Sequence, residues 1–149
     1  MSLSQKCQYA VRAVLELSKR YGQGAVPAGE IAVSQAIPRR FLEIILNEMK
    51  PAGLVDSRRG ARGGYYLALP PDRISVGRVI QVIEGPLDPV KCTSDKEDVN
   101  CPLQGQCALM SLWTRAKEAL EEVYGSVTFH ELVEQEREIA RKGSSDYCI

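Results

Sequence analysis

The sequence predicts a mainly α-helical fold with one small β-hairpin. Three patterns carry that expectation. Apolar residues recur at helical spacing through residues 4–49. The period falls to two on either side of a glycine- and arginine-rich stretch between Leu54 and Leu69. A 3-4-3-4 apolar spacing then runs from Leu109 to Val123.

The first helix is expected over 4–21, where Tyr9, Ala10, Ala13, Val14 and Leu17 form one apolar stripe and Gly22 and Gly24 mark the end. A short second helix fits 28–35, with Ile31 and Ala32 inward. Ala36-Ile37 makes a tight connection, and Pro38 suits the first turn of a third helix, where its missing N–H would have no partner anyway. That helix spaces Phe41, Leu42, Ile45, Leu46 and Met49 on one face and stops before Pro51-Ala52-Gly53. Leu54-Val55-Asp56-Ser57 reads as a strand and Tyr65-Tyr66-Leu67-Ala68-Leu69 as its partner, joined by the flexible tip Arg58-Arg59-Gly60-Ala61-Arg62-Gly63-Gly64. The hairpin and first three helices are expected to make their own core. After Pro70-Pro71-Asp72, Ser75 can cap a helix over 76–84 with Val79, Ile80 and Ile83 inward, broken by Gly85-Pro86.

Residues 86–106 lack periodicity and read as a loop. A long helix then runs from Cys107 or Ala108 to Tyr124, stopped by Gly125. Its seam is Leu109, Leu112, Ala116, Ala119 and Val123, and two heptads are too few to separate a coiled coil from packing within the chain. A charged last helix fits 128–142, followed by a frayed tail. The expected organisation is therefore one unit of helices and hairpin over 1–85, a cysteine-bearing loop over 86–106, the seam-bearing helix and C-terminal helix over 107–142, and a tail over 143–149.

With 149 residues, 44% hydrophobic and 26% charged, the chain has the balance of a globular protein, not of a disordered or collagen-like one. No apolar run of about 18 residues exists for a membrane span. Residues 1–10 show no basic segment followed by an apolar one, so the cytosol is the expected compartment and no membrane partner is expected. Five cysteines cannot close a complete disulfide set. The net charge of zero hides a basic half and an acidic half: residues 1–91 carry 13 basic and 8 acidic side chains, residues 92–149 carry 6 and 11. A basic half of this kind suits a polyanion.

Two constellations carry chemistry. The first is helix, short turn, helix and basic hairpin, the winged helix–turn–helix arrangement. Its second helix enters the major groove by its N-terminus, where Arg39 and Arg40 stand. Arginine is built for bidentate contact with guanine and for phosphate. Arg58, Arg59 and Arg62 at the hairpin tip can enter a narrow minor groove, and the tip glycines let backbone approach a phosphate. The DNA-contact candidates are these five arginines with Lys6, Glu43, Ser57, Gly63 and Gly64. The second constellation is Cys92, Cys101 and Cys107, with eight and five residues between them. Three thiols in one loop can hold an iron–sulfur cluster or zinc, or form a disulfide switch; no CxxC pair marks a structural zinc site. The missing CxxC and nucleotide-binding glycine loop also argue against a thiol oxidoreductase, and no enzyme activity is expected.

Together these residues resemble the Rrf-two family of bacterial winged-helix regulators, which includes the cluster regulator IscR, the nitric-oxide sensor NsrR and the cysteine-metabolism regulator CymR. The similarity lies in Tyr9-Ala10-Val11-Arg12-Ala13, Glu30-Ile31-Ala32, Ile37-Pro38, Phe41-Leu42-Glu43, Ala52-Gly53-Leu54-Val55, Ser57-Arg58-Arg59-Gly60, Gly63-Gly64-Tyr65, Cys107, Trp113 and Ser126-Val127-Thr128. The resemblance implies a homodimeric transcription regulator whose long helices cross, each winged unit meeting one half-site of a double-stranded operator. It also implies that three cysteines hold a [2Fe–2S] or [4Fe–4S] cluster in some members, while members without them sense by other means, such as a thiol switch, a partner protein or a small molecule. Two departures stand out. The gap from Cys92 to Cys101 is longer than in IscR, and Met110 stands where IscR has a histidine ligand. The fourth ligand is left open among Met110, Gln8, Cys7 and an exogenous group.

Overall fold

The computed structural model describes residues 2–94 and 100–145; residues 95–99 of the expected loop and 146–149 of the expected tail, Cys148 among them, lie outside the described residues. The order is α1 (Gln5–Lys19), α2 (Ala28–Gln35), α3 (Arg39–Met49), β1 (Val55–Arg58), β2 (Gly64–Leu67), α4 (Val76–Glu84), α5 (Met110–Ser126) and α6 (Phe129–Ser145), with single 3₁₀ turns at Pro71–Arg73 and Lys91–Thr93.

Local chemistry fixes most boundaries. Ser4 Oγ accepts from the Cys7 N–H at 3.1 Å and Ser75 Oγ from the Arg78 N–H at 3.2 Å, each satisfying an orphan donor of a first turn. Ala36 adopts a left-handed φ of 49°, which ends α2 and turns the chain into α3. Thr128 and Glu131 cap α6 reciprocally: the Thr128 N–H donates to Glu131 Oε2 at 2.8 Å, and the Glu131 N–H to Thr128 Oγ1 at 3.3 Å. The expected stop of α5 at Gly125 is corrected. The helix continues to Ser126 and ends where Val127 becomes extended, its carbonyl accepting from the Val76 N–H at 2.9 Å. At this point α5 crosses α4 closely enough that a Cβ on Gly77 would lie 3.0 Å from the Tyr124 carbonyl carbon, while a Cβ on Gly125 itself would meet nothing within 4 Å.

The hairpin is antiparallel, with Val55 opposite Leu67 and Arg58 opposite Gly64. Val26 bridges to Tyr65 by two hydrogen bonds of 2.8 Å, which fastens the hairpin to the segment before α2. The core joins Ala13, Val14 and Leu17 of α1, Ile31 of α2, Leu42, Ile45 and Leu46 of α3, Leu54 and Val55, Val79 of α4, and Phe129 of α6. The hairpin and first three helices therefore do not close the core alone: α6 returns from the C-terminal end to complete it. By contrast, α5 contributes no buried side chain. No helix among the described residues is long and apolar enough to cross a membrane.

One buried charge organises the polar side of α1. Glu16 accepts from Lys19 Nζ at 2.8 Å, Arg20 Nε at 3.1 Å and Gln35 Nε2 at 2.9 Å, while Lys19 also reaches Glu136 of α6 at 3.3 Å. Burial works against this charge, but hydrogen bonds from Lys19 and Gln35 and the charges of Lys19 and Arg20 outweigh it, holding the Glu16 carboxyl below its usual value of 4.5. Its stabilisation is thus present above about pH 4.5 and is lost as pH falls through the lower folded value. Glu16→Gln is expected to cost about 1–3 kcal/mol at neutral pH, the difference shrinking in acid. Urea unfolding at pH 7 and pH 3 measures both; equal midpoints at pH 7 would show that the network adds nothing.

Candidate functional site

The first half of the site is an open groove between the N-terminal part of α3 and the hairpin. Arg39, Glu43, Ser57, Arg58, Arg59, Gly63 and Gly64 all line it. Residues of two separately read motifs therefore meet on one surface. Arg39 is 69% exposed and donates from Nε to Glu43 Oε1 at 3.2 Å, an i,i+4 pair that holds its guanidinium along the groove. Arg40 and Arg62 are exposed but lie outside the groove lining, and Lys6 is ion-paired with Glu48 of α3.

The glycines at the tip are needed first for packing within the chain. A Cβ on Gly64, at φ 149°, would sit 2.2 Å from the Val26 carbonyl oxygen, and one on Gly63 2.5 Å from that of Arg58. Two residues with a place here were not among the expected contacts. Lys50, at the end of α3, donates from Nζ to Ser57 Oγ at 2.6 Å and ties the helix to the hairpin. Arg12 of α1 donates to the Gln35 carbonyl, with its guanidinium 5.7 Å from the Tyr9 ring centroid, and so braces the turn between α2 and α3.

The second half is a pocket lined by Cys92, Cys101, Leu103, Gln104, Cys107 and Met110. All three loop cysteines are free thiols of intermediate exposure. Among the described residues, no three His, Cys, Asp or Glu side chains are grouped closely enough for a metal ion. The donor set is nonetheless soft and thiol-rich, with no carboxylate in the lining, which fits an iron–sulfur cluster short of one ligand. Met110 shares the pocket. Gln8 is exposed on α1, its Nε2 donating to the Leu3 carbonyl at 3.1 Å. Cys7 is fully buried against Ile80 and Leu87, and burial, helped by the Glu84 charge, pushes its thiol up to about 11.

The two halves are mechanically joined. The Cys107 carbonyl accepts from the Met110 N–H at 3.2 Å at the start of α5. Lys117 of α5 reaches back to Asp88 at 3.0 Å and to the Thr93 carbonyl at 2.9 Å, which holds the other end of the loop. Further along, α5 meets α4 at the Gly77 crossing. The long helix starts at Met110, not at the expected Cys107 or Ala108, so Leu109, 53% exposed, is its cap residue; Leu112 and Val123 on α5 are 50% and 60% exposed, with Ala116 half-buried and Ala119 exposed between them.

The sequence and fold of the chain are similar to those of known proteins. The chain is 36% identical over 132 residues to the HTH-type transcriptional regulator CymR of Bacillus subtilis, covering 89% of each chain. The solved structure of CymR, titled the global cysteine regulator of B. subtilis, superposes with a TM-score of 0.76 at 35% identity, covering 91% of this chain and 98% of that one. The structure of T. potens IscR gives 0.75 at 34% identity, covering 93% and 90%. CymR and the IscR of Aliivibrio salmonicida, the latter 33% identical over 133 residues, are named as transcriptional regulators, not as enzymes. The profile of the Rrf2 family, described as iron-dependent transcriptional regulators, matches residues 3–135, and the chain belongs to that family.

Proposed function

We propose that this regulator is a homodimer that binds double-stranded DNA through α3 and the hairpin and senses iron–sulfur status or a redox signal at Cys92, Cys101 and Cys107. The observation that supports the sensing half is that three loop thiols line one pocket at the start of α5. A [2Fe–2S] or [4Fe–4S] cluster bound there supplies a redox-active, oxidant-sensitive iron centre. The three cysteines are its thiolate donors. Met110 from the same pocket, Gln8 from a second copy or a small exogenous ligand completes the set; Cys7, facing its own core, suits that role poorly.

The chain's own residues then transmit the state of the loop. Lys117, through Asp88, and the turn at Cys107 fasten both sides of the pocket to α5, and α5 meets α4 at Gly77, so a change at the three thiols shifts α5 against the DNA-binding unit. About 1–3 kcal/mol of such coupling changes operator affinity by roughly 5- to 150-fold. The exposed stripe of α5 supports the dimer, since a second copy would remove it from water.

Protein purified anaerobically, or reconstituted with iron and sulfide, is expected to show visible absorption and bound iron. Ser replacement of Cys92, Cys101 or Cys107 should each abolish it, and Cys148→Ser should leave it intact. A colourless reconstituted wild type would overturn the cluster and leave a thiol–disulfide switch in its place. For the DNA half, Arg59→Ala and Arg39→Ala are each expected to weaken operator binding by about 1–3 kcal/mol. Gel shifts at roughly 0.15 M salt decide it; wild-type affinity in both variants would remove the groove from the DNA contact.

A further inference from the structure

The exposed face of α3 has a middle that neither the hairpin nor α1 occupies. Leu42, Ile45, Leu46 and Met49 turn inward and are buried. One flank holds Arg39 and Glu43, which line the groove with the hairpin. The other holds Phe41, edge-on to Tyr9 of α1 at 5.7 Å between ring centroids, and Glu48, paired with Lys6. Between these flanks, at i, i+4 and i+7 along the helix, lie Arg40, Ile44 and Asn47, all exposed. Ile44 is 58% exposed, an apolar side chain with a polar one on either side of it along the stripe.

A lone exposed isoleucine needs no explanation on an ordinary surface. This one is centred on a face bordered on one side by Arg58 and Arg59 of the hairpin and on the other by Lys6 of α1, which is paired with Glu48. A recognition helix so flanked presents its middle stripe to base edges while the hairpin arginines meet phosphate. The apolar feature of the major groove is the 5-methyl group of thymine.

We propose that Ile44 is a specificity residue that reads a thymine methyl, so that each preferred half-site places one thymine against the middle of α3. The inference rests on the DNA-binding reading of α3 and the hairpin. Arg40 and Asn47 bracket the contact with groups able to hydrogen-bond neighbouring bases.

The test starts from duplexes selected by the wild-type dimer out of a random-sequence library. Each thymine of the selected site is then replaced in turn by deoxyuridine, which removes only the methyl. At one position per half-site the wild type is expected to lose about three- to fivefold in affinity, the worth of one buried methyl group. Ile44→Ala should bind the thymine and deoxyuridine duplexes equally, and should keep the wild-type affinity and salt dependence on mixed-sequence DNA. Its thermal midpoint should match wild type, because the side chain it shortens is exposed. Indifference of the wild type to every deoxyuridine replacement, or unchanged discrimination by Ile44→Ala, would overturn the proposal and leave the DNA-binding reading standing. A wild type that shows no salt-dependent binding to mixed-sequence DNA would overturn that reading, and this proposal with it.

Discussion

Leu112→Glu combined with Val123→Glu is expected to turn the protein from a dimer into monomers, or to make it insoluble. Both side chains are at least half exposed in the single chain, and α5 buries none of its residues against the rest of the fold. The substitutions therefore leave the packing of the chain itself nearly untouched. Across a dimer interface they would place two carboxylates per copy, four in all, where apolar contact is needed, at a cost of several kcal/mol for each unpaired charge. The spacing from Leu109 through Ala116 to Val123 keeps this stripe on one side of the helix, and the small residues Ala116 and Ala119 let two helices approach closely. Sedimentation at micromolar concentration measures the outcome. A wild type that sediments as a monodisperse monomer would remove the dimer from the proposed function.

How much of this was legible in the sequence follows from how local each signal is. The bounds Ala28–Gln35 and Val76–Glu84 match the sequence expectation because their start and stop signals lie within a few residues of them. The strands needed only small shifts, to Val55–Arg58 and Gly64–Leu67. The need for Gly77 was not legible, because the backbone it must clear is that of Tyr124 and Gly125, which the fold alone brings beside it. The reason for Gly64 was hidden in the same way: the backbone it must clear belongs to Val26, brought there by a bridge no periodicity announces. Of the site, the arginines were legible as types and their groove was not, since it takes the hairpin's docking to set Arg58 and Arg59 beside Arg39. The three thiols were likewise legible as a set, while their common pocket with Met110 depends on how the loop folds back onto α5. The Thr128–Glu131 capping box moves the start of the last helix from the expected 128 to Phe129, with Thr128 as its cap.

Phe129→Ala is expected to destabilise the DNA-binding unit by about 3–5 kcal/mol, although the residue lies far from that unit in the sequence. Phe129 is fully buried, its N–H donates to the Ile74 carbonyl at 3.0 Å, and it joins Val14, Leu17 and Val79 in one core. Truncation leaves a cavity with α1 and the start of α4 around it. The antiparallel bridge between Ser75 and Thr128 fixes the backbone on either side, so the cavity cannot easily collapse. Against a typical total stability of about 5–15 kcal/mol, that loss is a large fraction. Ile139→Ala on the same helix is the control: Ile139 is 71% exposed, and its change should stay within about 0.5 kcal/mol. Urea unfolding of both variants at one protein concentration separates the cases, because any effect of dimerisation on the midpoint is then shared. If Phe129→Ala unfolds at the wild-type midpoint, α6 is a passenger on the winged unit. If it falls as expected, the helix that follows α5 is part of the body that grips DNA. Any shift of α5 then reaches that body at two points, the Gly77 crossing and the Val127–Phe129 link.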